Sequence, residues 1–200
     1  MQALILNCTL KPSPATSNTE ALANVVADAL RKREVAVDML RVVDHDVPPG
    51  VESDLGDDDG WPAIREQILA ADVLVMASPT WLGQPSSVAK RVLERMDAML
   101  AEQDDDGRPV AYNHVAGVVC TGNEDGAHHV ISEISGALID IGFTVPGQSW
   151  TYWNAGPGPG PSYLDADHGQ DWSHSTADMM AHNLAAVARA LGAHPIPPPS

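Results

Sequence analysis

Three stretches of the chain gather residues able to hold a ligand. The first is NCTLKPSPATSNT, which places Thr9, Ser13, Thr16, Ser17, Asn18 and Thr19 before and at the start of a helical pattern. A helix start has free N–H groups and a positive dipole end, which together attract a phosphate, and hydroxyl side chains add donors. The same residue types also make ordinary helix caps, so both readings stand at this point. The chain has neither the glycine-rich P-loop ending in Lys and Ser or Thr nor a GxGxxG run. A Walker-type nucleotide site and a dinucleotide Rossmann site are therefore unsupported. With at most Lys11 as a nearby cation, the loop suits a single phosphate monoester.

The second stretch is SPTWLGQPSS, from Ser78 to Ser87. Trp81 sits at its tip, where an indole either stacks on a planar ring or braces its own loop. Gly83 allows backbone to approach a ligand closely. The third stretch is TGNEDGAHH, in which Gly122 and Gly126 can offer backbone groups to a ring edge. His128 and His129 follow, either as donors to a ring carbonyl or as surface residues. Further on, Trp150, Tyr152 and Trp153 fall within four positions of a chain with only five Trp, three Tyr and one Phe. They read as an aromatic lid over a ligand, or else as packing against the last helix or a dimer contact.

Other chemistries find little support. His174, Asp178 and His182 share a helix face but lack a third strong ligand, so a solvated face is expected there and no metal site. Asp165, Asp167 and Asp171 resemble part of a calcium loop, but Thr176 fills the position of the closing carboxylate. Two cysteines, Cys8 and Cys120, fall short of a disulfide scaffold or a Cys-ligated metal centre. Eleven basic residues against 27 acidic ones give a net charge of −16. Such a surface repels nucleic acid and anionic lipid. It reads as a solubility feature, or as a docking surface for a basic partner. The apolar stretches are too short to span a bilayer, and the N-terminus does not read as an export signal. A cytoplasmic protein is expected.

The intervening pattern alternates strand and helix. Apolar runs at Ala3–Leu6, Val35–Leu40, Val73–Ala77, Val115–Cys120 and Thr144–Trp150 read as strands. Stripes at three- and four-residue spacing follow each: from Asn18, over Trp61–Ala70, from Val88 to Met99, from Val130 to Ile141 ending at Gly142, and from Met180 to Leu191. Arg41–Gly60 and Gln103–Pro109 read as solvated acidic loops. The alternation predicts an α/β fold: a flavodoxin-like, doubly wound, five-stranded parallel sheet with helices on both faces. One domain is expected over residues 1–193, followed by a loose Pro-rich tail, 194–200. In such a sheet the ligand lies beyond the carboxyl ends of the strands, where the three stretches converge.

With SNT after the first strand, PTWLGQPSS running into VAKRVLERMD, and TGNEDG after the fourth strand, the chain resembles the flavodoxin-like NAD(P)H-dependent FMN and quinone reductases over roughly Gln2 to Gln148. Lys90 matches the basic residue of the family's following helix. The resemblance implies non-covalent FMN, with Thr9, Ser17, Asn18 and Thr19 at its phosphate. It implies Pro79, Thr80, Trp81, Leu82 and Gly83 along the isoalloxazine, and Thr121, Gly122, Asn123 and Gly126 along its pyrimidine side. It further implies hydride transfer from NAD(P)H to a quinone or similar small acceptor, in a homodimer or homotetramer. The flavin performs the chemistry, so no catalytic side chain is assigned. Trp150, Tyr152 and Trp153, beyond the resemblance, are the substrate-side candidates. Where relatives begin the first loop with Gly-Ser and a basic residue, this chain has Asn7-Cys8-Thr9-Leu10. An electron carrier without its own turnover, and a member that no longer binds flavin, are the competing readings.

Overall fold

The computed structural model describes residues 1–158 and 160–199. Pro159, in the Gly/Pro-rich stretch, and Ser200, the end of the expected tail, lie outside the described residues. The chain runs β1 (Gln2–Asn7), α1 (Asn18–Arg31), β2 (Ala36–Arg41), α2 (Trp61–Ala70), β3 (Val73–Trp81), β4 (Gln84–Pro85), α3 (Ser87–Met96), β5 (Val115–Gly122), α4 (Ala127–Ile141), β6 (Trp150–Asn154) and α5 (Gln170–Ala193). Five strands pair in parallel in the order β2-β1-β3-β5-β6, and the short β4 pairs antiparallel with the end of β3.

Strand side chains alternate between two cores, as the pleat requires. Leu4, Leu6, Leu74, Met76 and Val118 pack beneath α2, α3 and α4. Ala3, Ile5, Val73, Val75 and Val119 pack beneath α1 and α5. Both faces are thus covered, which explains the unbroken apolar runs of β3 and β5. The chain passes from β1 outward to β2 and then back across β1 to β3. The crevice between β1 and β3 is the switch point of the sheet.

Three expected boundaries are corrected. Ser78–Ser87 is not a plain loop, because β3 runs on to Trp81 and turns back through β4. The last strand is Trp150–Asn154 rather than Thr144–Trp150; Thr144 makes only an isolated bridge to Val115. Between them Pro146 has no N–H to give to a ladder. The tail is also not loose throughout: Asn113 Oδ1 accepts from the Ile196 N–H at 2.7 Å.

The acidic loop between β2 and α2 is anchored rather than simply solvated. Arg95 of α3 is fully buried and meets Asp59 at 2.6 Å. Its guanidinium also donates to the carbonyls of Pro48 and Glu52, and it lies 5.7 Å from the centre of the Trp61 ring. Burial works against the Asp59 charge, but hydrogen bonds from Arg95 and from the Trp61 and Leu55 N–H groups outweigh it. They hold the carboxyl below its usual range. Removing one partner strands a buried charge, so Asp59→Ala should cost about 3–5 kcal/mol in urea unfolding. A carboxyl lowered by folding stabilises the fold above its unfolded pKa, and that contribution is lost as pH falls through the folded value. Wild type should therefore lose stability on acidification more steeply than Asp59→Ala. Parallel acid profiles would show that the pair contributes nothing.

Candidate functional site

The three loops meet at the switch point. A cavity of about 260 Å³ is lined by Thr9, Leu10, Lys11, Ser17, Asn18, Thr19, Pro79, Thr80, Trp81, Thr121, Gly122, Asn123, Ser162 and Tyr163. Ten of the thirteen positions expected at the cofactor are among these. Leu82, Gly83 and Gly126 are not.

The first loop is held open for a ligand by groups outside it. Asn7, at the end of β1, accepts the Thr9 N–H at 3.2 Å. Arg41 donates to the carbonyls of Lys11 and Ala15 and pairs with Glu20. Asp44 accepts from the Ser13 N–H at 2.8 Å and from its hydroxyl. These bonds, led by the Ser13 hydroxyl, hold the Asp44 carboxyl below its usual range. Ser17 caps α1, its hydroxyl accepting from Glu20 N–H at 3.1 Å. Among the described residues, the N–H groups of Ser17, Asn18 and Thr19 have no protein partner. Capping and anion binding therefore coexist here: the serine oxygen serves the helix, and three N–H groups stay available.

The second loop is a hairpin rather than a loose tip. Thr80 faces Pro85 and Trp81 faces Gln84 across it. Leu82 and Gly83 form the two-residue turn, both at positive φ (+52° and +72°), as the tight primed turns require. Leu82 is 90% exposed and Trp81 51%. The base of the hairpin is fixed by two serines. Ser78 Oγ accepts from Ser86 N–H at 3.0 Å, and Ser86 Oγ donates to the Cys8 carbonyl at 2.7 Å while capping α3. Its far end is tied to α4: Gln84 lies 3.0 Å from His129, which meets Glu133, and Glu133 pairs with Lys90. Lys90, marked in the sequence for a family position, lies in this brace and not on the cavity.

The third loop reaches the cavity because two glycines let it. A Cβ on Gly122 would sit 2.1 Å from the Thr80 methyl, and one on Gly126 would sit 2.6 Å from the Gly83 Cα. Gly83 and Gly126 thus contribute by meeting each other, behind the cavity lining. Thr121 and Thr19 hydroxyls meet at 2.8 Å, joining the third loop to the first helix turn. His128 packs edge-on against Trp150 and Tyr152 rather than on the cavity.

The expected aromatic lid is corrected. Trp150, Tyr152 and Trp153 lie on β6, none of them on the cavity. Trp150 and Tyr152 pack on the α4 side, and Tyr152 also touches Trp172, with ring centres 4.8 Å apart. Trp153 is buried on the other side, donating to the His168 carbonyl and meeting Tyr163 edge-on. Alternation along a strand separates the neighbours Tyr152 and Trp153. The residues that do close the cavity are Ser162 and Tyr163, from the Gly/Pro-rich segment. Sequence reasoning missed them, though an aromatic inside a Gly/Pro-rich run was the available signal.

The cavity fits a flat molecule carrying a phosphate. Unpartnered N–H groups lie at one end, and Thr80 Oγ1 is buried with no hydrogen-bond partner. Such a hydroxyl is costly unless a ligand completes it. Both cysteines are buried, which pushes the Cys8 thiol up and Cys120 up to about 12. Neither is a thiolate nucleophile at neutral pH. Two of the last-helix trio are spent elsewhere: His174 meets the Tyr163 hydroxyl, and Asp178 pairs with Arg33.

Comparison with known proteins places this cavity. A family model described as NADPH-dependent FMN reductase matches residues 1–156. The crystal structure of RosB with bound 8-demethyl-8-formylriboflavin-5'-phosphate superposes with a TM-score of 0.89 at 33% identity, covering 98% of this chain and 82% of that one. The 8-demethyl-8-aminoriboflavin-5'-phosphate synthase of Streptomyces davaonensis is 33% identical over 201 residues, 96% of this chain and 78% of the synthase. A divalent metal cation transporter, MntH, of Mycobacterium bovis is 39% identical over 200 residues; the chain spans only 29% of its length. Among the described residues, no helix is long and apolar enough to cross a membrane. The match over residues 1–156, on a flavodoxin-like sheet with a phosphate-ready cavity at its switch point, shows that the chain belongs to the NADPH-dependent FMN reductase family, whose cofactor is FMN.

Proposed function

We propose that this chain is an FMN-dependent reductase that takes hydride from NAD(P)H and passes it to a quinone or similar small acceptor. The observation that carries the reading is the cavity itself: the residues whose N–H groups are free at the start of α1 line the same space as Thr80, whose buried hydroxyl has no partner. In this reading Thr9, Ser17, Asn18 and Thr19 hold the phosphate end. Pro79, Thr80 and Trp81 run along the ring, with Thr121, Gly122 and Asn123 at its polar edge. Leu82, Gly83 and Gly126 shape the hairpin that presents Trp81. Bound FMN supplies the hydride chemistry, accepting from the nicotinamide and delivering to the acceptor. The chain's own residues bind and orient, and no side chain is assigned as acid or base. The half-exposed Trp81 covers a ring edge and limits water there. The site acts in the cytoplasm, in a homodimer or homotetramer whose neighbouring subunit covers the exposed Trp81–Leu82 tip.

A second reading has specific support. Relatives at 33% identity are described as making, or binding, a modified riboflavin 5'-phosphate. On that reading the bound flavin phosphate is itself the reactant.

One measurement separates these readings, and two substitutions test the flavin site they share. Purified protein loaded with FMN should oxidise NAD(P)H continuously with a quinone alone, and the recovered flavin should have the mass of FMN. Turnover only with an added reductase would identify a carrier, and a changed flavin mass would favour the second reading. Thr80→Val keeps the shape while deleting an unpartnered hydroxyl, so the flavin-free protein should melt at the same temperature or higher. FMN binding should weaken about three- to tenfold, the worth of one neutral hydrogen bond. Unchanged affinity would remove Thr80 from the ring. Trp81→Ala should weaken FMN binding by about tenfold, since a stacked aromatic adds ~0.5–1.5 kcal/mol beyond its buried area. The FMN-induced rise in melting temperature should shrink accordingly; an unchanged rise would mean the indole only braces the hairpin.

A further inference from the structure

The family match ends at residue 156, yet the cavity does not. Ser162 and Tyr163 supply a wall that the matched region lacks. The segment carrying them is bonded to the third ligand loop and to the first. Ala155 N–H donates to the Gly122 carbonyl at 3.2 Å and Gly160 N–H to the Asn123 carbonyl at 3.0 Å. Leu164 N–H donates to Asn18 Oδ1 at 2.9 Å. That last bond fixes the strap directly over the first turn of α1, where the free N–H groups are.

Tyr163 is held on three sides. Its hydroxyl lies 2.9 Å from His174 Nε2, its ring meets Trp153 edge-on at 5.8 Å, and its carbonyl accepts from the Gln170 amide at 3.1 Å. The residue is buried, while His174, its anchor, is exposed on α5. A ring fixed this way is a wall and not a passing side chain, because its rotamer is set by partners on two separate elements.

We propose that this strap closes the phosphate end of the flavin site, and that Tyr163 is a specificity-determining residue selecting flavin monophosphate over flavin dinucleotide. The inference rests on the flavin reading given above. A phosphate monoester ends at the α1 N–H groups. A dinucleotide continues from that phosphate into a second phosphate and an adenosine, which must leave through the space that the strap occupies. Discrimination then comes from steric refusal beyond the phosphate rather than from any contact to it. His174 acts through Tyr163 as a positioning residue.

The test is calorimetric titration of FMN, FAD and riboflavin into wild type, Tyr163→Ala and His174→Ala. Wild type should prefer FMN to FAD by about a hundredfold or more. Tyr163→Ala should narrow that gap by at least about tenfold, mainly by admitting FAD, and His174→Ala by about threefold, the worth of one neutral hydrogen bond. A merely structural strap would lower affinity for all three flavins together and leave the ratio alone, which overturns the inference. Should Tyr163→Ala fail to fold, the surface change His174→Ala decides: an unaltered ratio there also overturns it. Wild type that binds FMN and FAD equally refutes the inference alone; wild type that binds no flavin refutes the flavin reading with it.

Discussion

One buried hydroxyl holds the site together. Ser86 Oγ donates to the Cys8 carbonyl at the end of the first loop's strand and accepts the Ala89 N–H that begins α3. Its own N–H goes to Ser78, on the neighbouring strand. Parallel strands end without hairpins, so the chain ends of β1 and β3 have no mutual ladder beyond Ala77. This clamp ties the base of the hairpin carrying Thr80 and Trp81 directly to the first loop, beside the indirect route through β5 and the Thr19–Thr121 bond. Each bond is modest, ~1 kcal/mol net, but each buried group left unpaired would cost more. The arrangement is therefore set by the penalty for disorder more than by the strength of any contact.

How much of this was legible in the residues follows from the range of each signal. The two-faced sheet was readable because burial on both sides writes continuous apolar runs, as at Val73–Ala77 and Val115–Cys120. The ligand loops were readable because they abut helix starts, where Ser and Gly have local reasons to be. The hairpin was not: PTWLGQP carries a Pro at each end, which argues against a ladder, yet Thr80 and Trp81 pair with Pro85 and Gln84 at the sheet's end. Tyr163 was not readable either. Its place on the cavity depends on its neighbour Leu164 bonding to Asn18, more than a hundred residues away in sequence, and no local pattern encodes that bond. The aromatic trio misled for a simpler reason. Its strand begins at Trp150, and alternation then divides the three rings between two cores.

Two local rules are broken on the ligand hairpin, as they also are at positions away from the cavity such as Ser149 and Gln148. Thr80 Oγ1 is buried without a partner, and Leu82 holds φ +52°, a region that costs a side-chain-bearing residue ~1–2 kcal/mol. Both sit on the one hairpin that meets the cavity or its rim. Elsewhere the first loop is over-determined, with Asn7, Arg41 and Asp44 all bonding into it. The loop is thus fixed from beneath, while the hairpin above it carries one orphaned hydroxyl and one strained turn residue.

The net charge of −16 opposes anion binding at long range, and the resolution is local. Surface carboxylates farther than ~8 Å are largely screened at physiological salt, so the neighbours of the α1 start decide the matter. The acid within the first turn of α1 is Glu20. It is paired with Arg41 and accepts from Asn7, so its charge is largely neutralised where it would oppose an anion most. Lys11 does not supply the missing cation, since its ammonium is turned onto the Thr16 carbonyl at 3.3 Å. The anion is then held by N–H groups, the helix dipole and neutral hydroxyls, which favours a compact, singly attached phosphate over a highly charged one. Arg41 thereby supports the site without lining it: it fixes the loop through two carbonyls and neutralises the carboxylate in the first turn of α1.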